Sequence, residues 1–329
     1  MRYSPSTLIV AAACTYLAAC SQGPVNSTLS SMRGGDNSAL SPLYPRLPYN
    51  HTLTAHHDIA SAGVRRVRPE NKLFKGTVWY SNPSVNLVTA CTNSACHDYG
   101  SGWSSPGGMA IDHKHNIYVS DNGNSRIVVL NEAGSQIAVL SDPGETPEDV
   151  AVAPNGTVGV TNRYNVVFYA KGSSVITSTA CCLLSEYQYG AFDKSGNFYA
   201  DGFDASLHVT VEEVVNAAGG GTNETDTGYG NTIGFPGGIA IDKMDTLDVV
   251  DEHCLCVYQF PSGNKITLDN VVTPTAIALQ KDDAEIAVAD YSANGSVIFY
   301  AYPAGGAPIF YANNADYPDG VVINPGWQY

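Results

Sequence analysis

At 329 residues, 44% apolar and only 14% charged, the chain can bury a large core in one big domain or two ordinary ones. Its 20 tyrosines and 32 glycines favour an all-β fold with many turns. A net charge of −15 argues against a nucleic-acid partner, which needs a basic face, and against charge-driven adhesion to anionic lipid.

Residues 1–19 read as a targeting segment. Arg2 supplies a positive charge, and Leu8 to Ala19 is an apolar run too short to span a membrane as a mature helix. It ends Leu17-Ala18-Ala19-Cys20, which resembles a bacterial lipobox, where the cysteine is lipidated and becomes the first residue. An ordinary secretory signal, cleaved after a small residue, is the alternative. Cys20 is thus the expected lipidation site, and its lipid the expected membrane anchor in the cell envelope. Ser21 lacks the aspartate that retains lipoproteins at the inner membrane, which favours the outer one. Residues 20–72 are a Ser/Pro/Gly-rich tether without apolar periodicity, with a reach of roughly 40 Å. Around its end, Arg65, Arg66, Arg68, Lys72 and Lys75 form a basic cluster, read as solvated or docked on the acidic domain.

Residues 73–329 are organised by a repeat. The stretch 106–130, PGGMAIDHKHNIYVSDNGNSRIVVL, reads as two short strands, a hairpin and a third strand. Weaker copies begin at Pro147 (PEDVAVA), Tyr187 (YQYGAFD), Pro236 (PGGIAID), Pro274 (PTAIALQ) and Pro318 (PDGVVIN), spaced 41, 40, 49, 38 and 44 residues apart. Second strands follow as NIYVSD, TVGVTN, NFYADG, TLDVVD and EIAVAD, then aromatic third strands such as VVFYAKG and VIFYAYPAG. Four strands per unit of about 42 residues is the signature of a β-propeller. The sixth copy stops at Trp327-Gln328-Tyr329 as its second strand begins. GTVWYS (76–81) and VNLVTA (85–90) are then its expected third and fourth strands, so pairing of the N- and C-terminal strands closes the ring and removes an open edge. The expected fold is one all-β, six-bladed propeller. PGGMAIDHKHNIYVSDNGNSRIVVLN resembles the NHL repeat in its Pro-Gly start, AID turn, N-I-Y-V strand and D-x-x-N-x-R hairpin. Proteins with such repeats include lyases, lactonase-like hydrolases, receptor sensor domains and binding modules, so the resemblance implies the fold and leaves the chemistry open.

In a four-stranded blade, the loop to the next blade shares a face with the second-to-third-strand turn. That placement puts Cys91, Cys96, Cys181, Cys182, Cys254 and Cys256 on one face, stapling its loops. Cys91 with Cys96 is the expected local disulfide. A strained Cys181–Cys182 bridge, or pairing of either with Cys254 or Cys256, stays open. Two sharper alternatives exist. Cys91-Thr-Asn-Ser-Ala-Cys96-His97 is a lengthened form of the c-type haem attachment C-x-x-C-H, and His253, Cys254 and Cys256 are zinc-ligand types without a second C-x-x-C pair.

The same face carries the ends of the second strands, Asp121, Asn162, Asp201, Asp251 and Asp290, read as turn-backbone acceptors. Asp112, Asp193 and Asp242 are read as caps of turns on the opposite face. After each strand-opening residue come Gly107, Glu148, Gln188, Gly237, Thr275 and Asp319. Glu148, with Asp149, and Asp319 are candidates to line the channel mouth and take Ca2+. Trp103, Tyr164, Tyr189, Tyr291 and Tyr317 are candidates for a shallow ligand-binding surface. The Gly-rich stretch 216–235 is read as a loop insertion. No G-x-S-x-G, H-E-x-x-H or P-loop motif is present. His253, flanked by Asp251 and Glu252, is the candidate catalytic base. The expected function is a monomeric, lipid-anchored extracytoplasmic propeller that binds a peptide, glycan or envelope protein. The alternative is a metal-assisted hydrolase or lyase of the lactonase-like type.

Overall fold

The computed structural model describes residues 76–143, 145–293, 295–314 and 317–325. The expected signal segment, Cys20, the tether and the basic cluster lie outside the described residues. Six four-stranded antiparallel sheets form a six-bladed propeller. The first blade runs, from the axis outward, Pro106–Ile111, Ile117–Asp121, Arg126–Leu130 and Gln136–Ser141. The second is Pro147–Val152, Val158–Asn162, Asn165–Tyr169 and Ser178–Ala180, and the third Glu186–Phe192, Phe198–Phe203, Val209–Val214 and Glu224–Asp226. The fourth comprises Pro236–Ile241, Leu247–Asp251, Cys256–Phe260 and Asn264–Thr267, the fifth Pro274–Leu279, Glu285–Asp290, Ser296–Ala301 and Phe310–Asn314.

Middle strands are buried on both sides, because each blade is sandwiched between two others. Val158–Asn162 is buried throughout, and Ser296–Ala301 in all but its last residue. That is why these strands are near-continuous runs of Val, Ile, Phe and Tyr rather than alternating ones. Between the second and third blades, Phe198 meets Phe168 and Phe192 edge-on, with centroids 5.4 and 4.9 Å away. Gly190 makes room for them: a Cβ there would lie 2.2 Å from Phe198 Cζ.

The sixth blade is built from both ends of the described chain. Val321–Asn324 is its inner strand, followed by Thr77–Asn82, Leu87–Cys91 and Cys96–Tyr99. Val78 lies opposite Ile323, and Trp79 opposite Val322, all 5% exposed or less. The N-terminal strands therefore occupy the second and third positions, one further in than the sequence suggested, and Cys96–Tyr99 is the fourth. Cys91 and Cys96 form the expected disulfide, but it ties the third strand to the fourth. That turn belongs to the opposite face, which corrects their assignment to the face shared with the other cysteines. The stretch 216–235 is corrected too, since it contains the third blade's outer strand, Glu224–Asp226. Among the described residues no helix is long and apolar enough to cross a membrane.

Truncating Ile323 removes core atoms from the closing pair alone. Ile323→Ala should lower unfolding free energy by about 2–5 kcal/mol, read as a lower urea midpoint with an unchanged slope.

Candidate functional site

Every inner strand of the first five blades skips register near its start: between Pro106 and Met109, Pro147 and Asp149, Tyr187 and Gly190, Pro236 and Ile239, and Pro274 and Ile277. Such bulges re-aim side chains. The backbone amides just ahead of the opening prolines lie outside the ladder and need acceptors, and second-strand aspartates supply them. Asp121 accepts Ser104 N–H at 2.7 Å, Asp251 accepts Gly234 and Phe235 N–H at 2.9 and 3.1 Å, and Asp290 accepts Val272 and Thr273 N–H at 3.0 and 2.9 Å. Asp121 also takes Arg126 Nε at 2.7 Å. These side chains are scaffold. On the far face Asp112, Asp193 and Asp242 accept turn amides, as expected.

Hydroxyls on neighbouring strands fix the bulge carbonyls. Ser120 Oγ lies 3.1 Å from Glu148 O, Thr161 Oγ1 donates to Gln188 O at 2.9 Å, and Thr275 Oγ1 to Asp319 O at 3.2 Å. The closing blade holds Asp319 as well, through Asp319 N–H to Ser81 O at 3.0 Å and Gly320 N–H to Ser81 Oγ at 2.7 Å.

Below the bulges runs an axial cavity of about 150 Å3, lined by inner-strand residues whose side chains are nearly all apolar, with backbone polar groups also facing it. Asp149 is the charged residue in that lining. It is 7% exposed, and its carboxylate accepts Gly190 N–H at 3.0 Å. Gly108 packs so tightly on it that a Cβ there would lie 1.9 Å from Asp149 Oδ1. Burial, offset in part by the Gly190 and Val150 amides and reinforced by the Asp319 and Glu148 charges, pushes the Asp149 pKa up to about 7. Glu148, half-buried, accepts Asn122 Nδ2 at 3.3 Å. Gln188 is 3% exposed, and its Oε1 has no hydrogen-bond partner. Glu148, Asp149 and Asp319 thus share electrostatic reach, beside a buried amide oxygen that sequence reasoning did not single out.

The candidate aromatics divide. Trp103 is 8% exposed and donates to Tyr99 O at 2.9 Å from within a core cluster, and Tyr189, also 8% exposed, lines the axial cavity. Tyr164 is 62% exposed, with the Arg163 guanidinium 5.6 Å from its ring centre. Tyr291 and Tyr317 form an edge-to-face pair 5.3 Å apart, both half-buried. His253 is exposed in the fourth blade's hairpin, packs against Gly234, and is absent from the cavity lining. Beside it Cys254 and Cys256 form a disulfide. That removes both as partners for Cys181 or Cys182. Their sulfurs and an Asp251 carboxylate oxygen fall within 4.8 Å of one another, a metal-like grouping. A disulfide offers no thiolate, however, and Asp251 is already committed to four backbone amides. The Cys91–Cys96 disulfide likewise leaves no thiol there for haem attachment.

Residues 104–130 match the model of the NHL repeat. A search of curated proteins finds no match. Among solved structures, a protein of unknown function from Bacteroides caccae is similar at TM-score 0.57 and 12% identity, covering 75% of this chain and 98% of that one. A streptogramin B lyase is similar at TM-score 0.56 and 13% identity, covering 75% and 83%. A catalytically inactive variant of virginiamycin B lyase from Staphylococcus aureus, with quinupristin, is similar at TM-score 0.55 and 13% identity, covering 75% and 84%. At these identities the likeness is one of fold.

Two outcomes follow. The folded chain holds the Asp149 proton up to about pH 7, whereas the unfolded chain releases it near the ordinary 3.8. Its contribution to stability is therefore full in acid and lost as pH rises through about 7. Calorimetry should show a midpoint temperature that falls between pH 4 and 8, and a shallower fall in Asp149→Asn. Gly108→Ala must push Asp149 aside and should cost about 1–3 kcal/mol in urea unfolding.

Proposed function

We propose that this chain is a lipid-anchored, extracytoplasmic propeller that binds a ligand or protein partner through the face carrying the channel mouth. The observation that supports this most is convergence. Asp149 lies in the wall of the axial cavity with the Glu148 and Asp319 charges acting on it, the bulge of the next blade carries Gln188, and Tyr164, Tyr291 and Tyr317 stand on loops of the same face. An acidic recess rimmed by tyrosines suits a peptide, a glycan or a loop of another envelope protein. Trp103 and Tyr189 act beneath that surface, by shaping it.

The mouth also fits a cation such as Ca2+. Glu148, Asp149 and Asp319 would hold it with the buried Gln188 Oε1, an oxygen that lacks a donor. A cation there would polarise a carbonyl or hydroxyl of the ligand. The second reading, a hydrolase or lyase resembling the lactonase-like propellers, draws its support from Asp149. A buried carboxyl poised near neutrality suits general acid or base work, and this one is a better candidate than the exposed His253.

Metal analysis and turnover assays separate the two readings. Stoichiometric Ca2+ together with hydrolysis of simple lactones, or cleavage of a streptogramin B, supports the enzyme. Tyr164→Ala and Tyr317→Ala should then leave turnover of small lactones within a few-fold of wild type, whereas Asp149→Asn should abolish it. Absence of turnover leaves the binding reading, for which the tyrosine variants should weaken capture on peptide and glycan arrays about tenfold or more. Intact mass of protein from membranes tests the anchor: acylation at Cys20 is expected, and an unmodified or different N-terminus would remove it.

A further inference from the structure

Two strands out from the channel, the third blade buries carboxylates that the mouth does not use. Glu212, on Val209–Val214, is 0% exposed, and neither of its carboxylate oxygens has a hydrogen-bond partner. In register it lies opposite Asp226, while Val214 lies opposite Glu224. Glu212 and Glu224 are therefore diagonal neighbours on one face of the sheet, a separation that long side chains span. Tyr187, 0% exposed, reaches across from the inner strand, and its hydroxyl donates to Glu224 Oε1 at 2.7 Å. The same hydroxyl accepts Cys182 N–H at 3.0 Å, and Leu183 N–H donates to Glu224 Oε2 at 3.1 Å. Apolar side chains, Phe168, Leu184 and Val214 among them, form the surrounding core.

The charge in this pocket is unbalanced. Among the described residues, Glu224 is the charge that acts on Glu212, and no cation is among the causes that shift either carboxyl. Burial, and then Glu224, push the Glu212 pKa up to about 9. An orphaned buried carboxylate beside a second carboxylate, with a hydroxyl at hand, is the donor set of a hard cation. Two carboxylates can supply up to four of the roughly six to eight oxygens that calcium takes.

We propose that Glu212 and Glu224 hold a calcium-class divalent cation between the second and third blades, pinning the Cys181–Leu183 loop that enters the third blade. This site is separate from the mouth and would stand or fall without it.

The test uses the full chain, stripped with EDTA and melted with and without CaCl2. Calcium in hundredfold excess over its dissociation constant should raise the midpoint by roughly 5–10 °C. The mouth variant Glu148→Gln/Asp319→Asn should keep a rise, and adding Glu212→Gln or Glu224→Gln to it should abolish that rise. A rise that survives the added glutamines, or that disappears in the mouth variant, would overturn the site, the latter leaving a mouth cation intact. No rise in either wild type or mouth variant would also overturn it. Should neither glutamine variant fold, the wild type and mouth variant decide alone: a rise kept in both supports the site, and one lost in the mouth variant overturns it.

Discussion

The antiparallel seam between Val321–Asn324 and Thr77–Asn82 is the constraint on which the rest depends. A propeller blade cannot bury its flat faces alone, and an open ring would leave one blade without a neighbour and two sheet edges unpaired. Four residues from one end of the chain supply the missing inner strand. The seam also does something local. Ser81 exchanges hydrogen bonds with Asp319 and Gly320, so the segment that closes the ring is the segment that positions one wall of the mouth.

Around that ring the same solution recurs with small changes. In the first five blades the proline or tyrosine near the start of the inner strand is followed by a bulge, and second-strand aspartates and hydroxyls satisfy backbone groups around it. Where the repeat is most regular, in the first and fourth blades, the bulge position is Gly107 or Gly237. Departures carry the polarity: Glu148, Gln188, Thr275 and Asp319 replace glycine, and Asp149 follows in the channel wall. Asymmetry in an otherwise repetitive ring therefore concentrates acidic groups on one side of the mouth. Low local dielectric and mutual repulsion then hold Asp149 near neutrality.

Much of the fold was legible in the sequence, for physical reasons that also explain the misses. Pro-x-x followed by alternating small and branched residues marks an inner strand, and the polar turn and terminal aspartate mark the second, so blade number and ring closure were readable. The position of GTVWYS within its blade was not. Strands sandwiched on both sides are apolar on both sides, and such a run does not announce whether it lies second or third. That slip carried Cys91 and Cys96 to the wrong face. Glu224–Asp226 escaped notice because a short, polar outer strand flanked by glycines looks like a loop. With it went Glu212, whose partner was unseen. The mouth acids could be read from repeat phase, whereas the burial of Trp103 and Tyr189 depends on loop paths that spacing does not encode.

Carboxyl carbon-13 NMR of the full chain, titrated from pH 3 to 9 with Asp149→Asn as the assignment control, tests the central claim most directly. A closed ring that seals an acid at its mouth predicts an Asp149 midpoint near 7. A midpoint near 4, the ordinary value for a solvated aspartate, would contradict it.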